Sequence, residues 1–115
     1  MSPAEFEAFS LSLPAATLTV QWGGSRVYKV GGKMFAVAGP AAAGGWSFKA
    51  SDAAFEMLAA EGVGRPAPYL ARAKWIRFEA LDVLPDDETQ AYLAAAHALV
   101  TARLPRAERR RLGLA

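Results

Sequence analysis

The chain has 115 residues, of which 53% are apolar and 21% are charged, as expected for one compact domain with a single core. Its formal net charge of +2 is too small to indicate a nucleic-acid partner by itself, and the absence of cysteine excludes disulfides, thiolate nucleophiles and cysteine-ligated metals. No apolar run approaches the roughly 18 residues that cross a bilayer, and the start MSPAEFEAFS lacks a basic signal-peptide segment, so we expect a cytoplasmic protein.

The first elements that the sequence predicts are a short helix and a strand. Phe6, Phe9 and Leu13 recur at spacings of three and four, which predicts a helix with one apolar face that ends before Pro14. The next segment, TLTVQW, alternates between apolar and polar residues and predicts a half-buried strand. The side chains on its inner face would be Leu18, Val20 and Trp22.

The stretch RVYKVGGKMFAVAG, residues 26–39, predicts a β-hairpin with a two-residue Gly-Gly turn, because the primed turns need positive φ. When residues are counted outward from the turn, Tyr28 lies opposite Phe35. We expect both side chains to be buried beneath a helix and Lys29 to lie on the opposite face. The other expected pairs are Val30 with Lys33, Lys29 with Met34 and Val27 with Ala36. Val30 and Val37 would share the inner face with Tyr28 and Phe35.

The middle of the chain predicts strand, helix and strand in turn. WSFKA, residues 46–50, alternates with Ser47 and Lys49 outward, and Ser51 begins a helix that ends at Gly62. The two prolines of RPAPYL restrict their neighbours to extended conformations. KWIRFEAL resumes the alternation, with Ile76, Phe78 and Ala80 inward and Trp75, Arg77 and Glu79 outward.

The last third predicts a long helix within LPDDETQAYLAAAHALVTARLP, opened by Pro85 and three acids and closed by Arg103. Its apolar stripe would consist of Leu93, Ala96, Val100 and Leu104. A short basic tail, residues 105–115, would follow. The whole chain, residues 1–115, is thus predicted to form a single domain.

The sequence offers few groups for catalysis. His97 is the single histidine and lies in the middle of the predicted helix, where a packed or half-exposed structural role is expected. Neither a G-x-S-x-G turn nor an S-x-x-K pair occurs, and the three acids at Asp86–Glu88 suit the first turn of a helix. We therefore expect no enzymatic activity, no metal and no cofactor.

The candidate functional surface is the outward face of the sheet together with the RPAPYLARAKW segment. Exposed aromatic rings can stack on bases while Lys and Arg hold phosphates, which is how open sheets bind single strands. The predicted nucleic-acid-binding residues are Lys29, Lys33, Lys49, Arg65, Tyr69, Arg72, Lys74, Trp75 and Arg77. The alternative is that lysines keep an ordinary sheet face in water and that the prolines only stiffen a connection.

Four segments together resemble the MmcQ/YjbR family: LSLPAAT, VYKVGGKMFAVAG, RPAPYLARAKWIRFE and LPDDETQAYLAAAHALVTARLP. The resemblance spans nearly the whole chain. It implies an α+β, frataxin-like fold, a two-layer sandwich in which an antiparallel sheet of about five strands carries helices on one face. It also implies DNA binding, through a proposed double-wing arrangement of β-hairpins.

Individual residues match the family's motifs. Lys29 and Lys33 match its hairpin lysines, residues 68–70 match its Pro-Tyr-Leu block, and Trp22 and Trp75 match two tryptophans. The chain departs from the family where GGSR follows Trp22 in place of Gly-His-Pro, and where His97 replaces a tyrosine.

These observations predict a non-enzymatic, monomeric binding domain with DNA as its partner, and no membrane association. The first alternative is a module that binds a protein or a small ligand in a groove beside residues 65–75, with no nucleic-acid role. The second is a domain without an identifiable ligand. Salt dependence separates DNA binding from ligand binding in the groove, because phosphate contacts weaken with ionic strength and apolar contacts hardly respond.

Overall fold

The computed structural model describes residues 1–39, 44–68 and 70–114. Four α-helices and six strands lie within these residues. The helices are α1 (Pro3–Ser12), α2 (Asp52–Glu61), α3 (Asp86–Arg103) and α4 (Arg106–Arg111). The strands are β1 (Ala16–Gln21), β2 (Ser25–Val30), β3 (Lys33–Ala38), β4 (Trp46–Lys49), β5 (Arg65–Pro66) and β6 (Trp75–Phe78), and a 3-10 turn spans Ala71–Ala73.

The strands form one antiparallel sheet in the order β1-β2-β3-β4-β6-β5. The α+β class and the helix-covered sheet are as predicted, and the sixth strand is the two-residue β5 at the start of the proline segment. Its short length suits an edge position, because Pro66 cannot donate a ladder hydrogen bond.

The β2–β3 hairpin turns at Gly31 and Gly32, whose φ angles are +57° and +77°. The predicted pairs next to the turn are confirmed, but Tyr28 pairs with Ala36 instead of Phe35. A β-bulge causes this difference, because Phe35 is an extra residue that shifts the register by one. The bulge exchanges the predicted faces of the next two residues, so that Ala36 is buried in the core and Val37 lies on the opposite face.

The core lies between one sheet face and α1, α2 and α3. Aromatic rings dominate it: Trp46 stacks on Phe48 with ring centroids 5.2 Å apart, and Phe6 packs edge-on against Trp46 at 5.3 Å. The predicted stripe of α3 is confirmed, since Leu93, Ala96, Val100 and Leu104 are all buried. These contacts supply the apolar burial that holds a small domain together without disulfides.

The ends of α2 follow the predicted capping chemistry, and α1 has a cap that was not predicted. The Ser51 hydroxyl accepts a hydrogen bond from the Ala54 backbone N–H, 3.1 Å away, and Gly62 ends α2 with a φ of +73°. At α1, Ser2 and Glu5 form a reciprocal capping box. Residues 106–111, predicted as part of a basic tail, form α4, and Leu112 and Leu114 pack against the core.

Two predictions of burial fail at the far end of β1. Val20 and Trp22 were expected on the inner face, yet their side chains are 55% and 62% exposed. Of the inner-face residues of this edge strand, only Ala16 and Leu18 pack against the core. The chain then leaves the strand at Trp22, where φ is +51°. Alternation alone gave no sign that the core stops at Leu18.

Candidate functional site

The sheet face opposite the core is partly covered by the chain between β5 and β6. The Ala67 backbone N–H donates to the Trp75 carbonyl at 2.9 Å, and the Trp75 N–H donates to the Leu70 carbonyl at 3.3 Å. These hydrogen bonds tie Ala67 and Leu70 to Trp75. The described residues between the two strands, 67, 68 and 70–74, are here called the cover segment. Lys74 connects it to β6 with a φ of +63°, a conformation that is uncommon for a residue other than glycine.

Lys49 and Trp75 are paired neighbours on this face and are predicted to point outward. They do lie on the face away from the core, but their exposed fractions are only 6% and 4%. The Lys49 ammonium donates a hydrogen bond to the Ala73 carbonyl of the cover segment. The expectation that both side chains are open to solvent is therefore wrong, because the cover segment folds against them.

The electrostatic setting of Lys49 is unusual. Burial lowers the pKa of its ammonium below the ordinary value of 10.5, and the nearby charges of Arg103 and Lys74 lower the pKa further, while Asp52 opposes them. Among the described residues, no carboxylate forms an ion pair with Lys49. A buried ammonium normally gains an anionic partner, because desolvation of a lone charge is unfavourable.

A groove of about 390 Å³, here called the main groove, opens beside Lys49. It runs from the tip of the β2–β3 hairpin to the end of α3, which approach each other closely: a Cβ at Gly31 would lie 2.8 Å from Leu104 Cδ1. Three lining residues are basic, namely Lys33, Lys49 and Arg103. The others are Met34, Leu70, Ala73, Trp75, Val100, Leu104 and Pro105. The main groove thus combines an apolar wall with basic groups and contains no acidic lining residue among those described.

A second groove of about 380 Å³ is lined by Trp22, Met34, Pro68 and Leu70. Met34 and Leu70 also line the main groove, so the two grooves share these walls. Trp22, predicted as an inner residue, instead forms one side of this second groove.

The nine predicted site residues separate into several environments. Lys33, Arg65 and Arg72 are exposed, and Lys29 and Arg77 are partly buried. Arg65 lies 3.6 Å from Glu79 in an exposed ion pair, a type of contact that contributes little to stability. Lys74 is also partly buried, with its ammonium 4.9 Å from the centre of the Phe55 ring. Tyr69 lies outside the described residues.

The structure brings three of the nine, Lys33, Lys49 and Trp75, together in the main groove. Sequence reasoning did not assign Met34, Leu70 or Arg103 to a site. No local pattern in the sequence assigns these three residues, because they meet only in the tertiary structure.

His97 has the structural role expected of it. Its Nε2 lies 2.7 Å from the Pro14 carbonyl oxygen, and its ring packs edge-on against Phe35 with centroids 5.4 Å apart. In the part of the chain that the structure describes, no cluster of three or more His, Asp or Glu side chains could hold a metal ion.

Comparison with known proteins assigns the chain to a family. A family model described as YjbR matches residues 11–99, which is most of the chain. The chain belongs to the YjbR family. Among solved structures, this YjbR-family chain is similar to the Deinococcus radiodurans protein DR2400, whose family-model domain is DUF419. The TM-score is 0.85, with 22% sequence identity, over 99% of this chain and 89% of that chain.

The likeness to DR2400 shows the fold, which confirms the resemblance drawn from the four sequence segments. No match is found among curated proteins. Across residues 1–39, 44–68 and 70–114, the YjbR-family chain contains no helix of the length and apolarity that a membrane crossing requires.

Proposed function

We propose that this YjbR-family chain is a non-enzymatic binding domain that holds a small molecule in the main groove. The observation that carries the proposal is the position of Trp75, a buried residue that lines the groove and lies outside the main core cluster. A volume of about 390 Å³ lies within the range typical of small-molecule sites. An apolar wall with a few polar groups is also typical of such sites.

The test uses 2-naphthalenemethanol, a neutral aromatic probe, in a titration monitored by the backbone amide signals of the ¹⁵N-labelled protein. We expect saturable shifts concentrated at Met34, Ala73 and Trp75. Met34→Trp should weaken binding by filling the groove, whereas Val20→Trp adds the same ring at an exposed strand position and should leave binding unchanged. Shifts that do not saturate, or that are insensitive to Met34→Trp, would contradict a groove for small molecules.

A second candidate function is DNA binding on the same sheet face. One observation favours it: the row of paired strand residues across this face contains no acidic residue. The row consists of Thr19, Val27, Val37, Ser47, Arg77 and Arg65. Exposed Lys33 and Arg72 would hold phosphates, and the exposed ring of Trp22 would stack on a base.

DNA binding is tested by fluorescence anisotropy with labelled single-stranded and duplex DNA of random sequence at several salt concentrations. The double variant Lys33→Ala/Arg72→Ala should reduce the slope of log affinity against log salt by roughly 1.4 for single strands on the counterion-release relation. Arg110→Ala, an exposed arginine on α4, is the control and should retain the slope. If the unmodified protein shows no salt-dependent binding at low ionic strength, the DNA function is excluded.

A further inference from the structure

The unusual group in the main groove is the Lys49 ammonium. Its side chain is 6% exposed, and it lines the groove. An ammonium has three donors, and one of them is taken by the Ala73 carbonyl. Among the described residues, Lys49 has no carboxylate partner. A charge buried in this way is expected to find an anion, and the groove provides the space for one.

The neighbouring charges also favour an anionic ligand. Arg103 at the end of α3 and Lys33 beside the hairpin turn line the same groove. Lys74 lies close enough to lower the pKa of Lys49, and Asp52 is the acidic group that opposes this effect. The groove therefore has a positive potential around a single buried cation, which matches a ligand with one negative charge.

We propose that the main groove binds a small organic acid, with its carboxylate at Lys49 and its apolar body against Met34, Leu70 and Trp75. This inference rests on the proposed small-molecule function and names the ligand class. A carboxylate accepts hydrogen bonds from a lysine ammonium, and such charge-assisted bonds are stronger than neutral ones. The apolar walls supply the remaining affinity and select a ligand with an aromatic or branched body.

The experiment compares 2-naphthoate with 2-naphthalenemethanol, two probes of similar shape that differ in charge, by calorimetry and amide shifts on the full chain at neutral pH. We expect the acid to bind the unmodified protein roughly 10-fold or more tightly than the alcohol, because a hydrogen bond to a charged group is worth more than a neutral one. Lys49→Met should remove this preference, because it should weaken binding of the acid by roughly 10-fold more than binding of the alcohol.

Two further variants separate binding from structure. Lys49→Arg keeps the charge and should retain a preference for the acid. Lys29→Met, on the same sheet face but outside the groove lining, should behave like the unmodified protein. If Lys49 serves only as a tether for Ala73, Lys49→Met would alter the affinity for both probes equally.

The outcomes distinguish this inference from the proposed function. Equal affinity for the two probes in the unmodified protein would overturn the acid site and leave the small-molecule groove standing. A preference for the acid that survives Lys49→Met would also overturn it. If neither probe binds, the proposed function fails together with the inference.

Discussion

Removal of the Phe35 ring is the sharpest test of the packing described above. Phe35 is fully buried at the β-bulge. Its ring centroid lies 6.4 Å from the ring centroid of Tyr28 and 5.4 Å from the ring centroid of His97. Truncation of a fully buried aromatic ring loses the transfer free energy and leaves a cavity, which together cost about 3–5 kcal/mol. The whole domain is expected to have a stability of about 5–15 kcal/mol, so Phe35→Ala should lose a large share of it.

The assay is urea unfolding followed by tryptophan fluorescence and circular dichroism. With a slope of about 2 kcal/mol per molar urea, a loss of about 4 kcal/mol lowers the midpoint by roughly 2 M. Phe35→Leu keeps an apolar side chain and should fall between the alanine variant and the unmodified protein. Val20→Ala, at a strand position that is largely exposed, should change the free energy of unfolding by less than about 0.5 kcal/mol.

A cooperative transition of Phe35→Ala near the midpoint of the unmodified protein would refute this reasoning. It would mean that neighbouring side chains can close over the vacated volume at little cost. The bulge places both Phe35 and Ala36 in the core, and the small Ala36 side chain cannot fill the volume that the Phe35 ring would vacate.

Three other predictions follow from the local geometry. Gly31→Ala should destabilise more than Gly32→Ala in thermal melts, because both require positive φ but only a Cβ at Gly31 meets Leu104; equal losses would contradict that contact. Ser51→Ala should lower the free energy of unfolding in urea by about 1 kcal/mol through loss of the α2 cap. Ser12→Ala, at the C-terminal end of α1, is the exposed serine control, and an unchanged stability of Ser51→Ala would argue against the cap. Folding lowers the pKa of Lys49 below its ordinary value of 10.5. Between the folded-state pKa and 10.5, the unfolded chain therefore binds more protons than the folded protein, so the stability of the unmodified protein relative to Lys49→Met should rise with pH. A pH-independent difference would mean that Lys49 is not desolvated.

The local elements could be read from the sequence because their signals act over short distances. The Gly-Gly turn, the Ser51 cap and the α3 stripe each depend on neighbouring residues, and all three are present. Family membership was also predictable, since four segments carried the resemblance that the family model supports.

The tertiary structure decided where each face is covered and where the core ends. Counting pairs outward from the turn could not predict the bulge at Phe35. The Phe35 ring packs against His97 of α3, and this contact depends on the tertiary structure instead of on hairpin propensity. Alternation correctly assigned Lys49 and Trp75 to the outer face, but the exposure of that face depends on the cover segment that lies against it. The main groove exists because the hairpin tip, the cover segment and the end of α3, which are far apart in sequence, meet at one end of the central strands β3, β4 and β6.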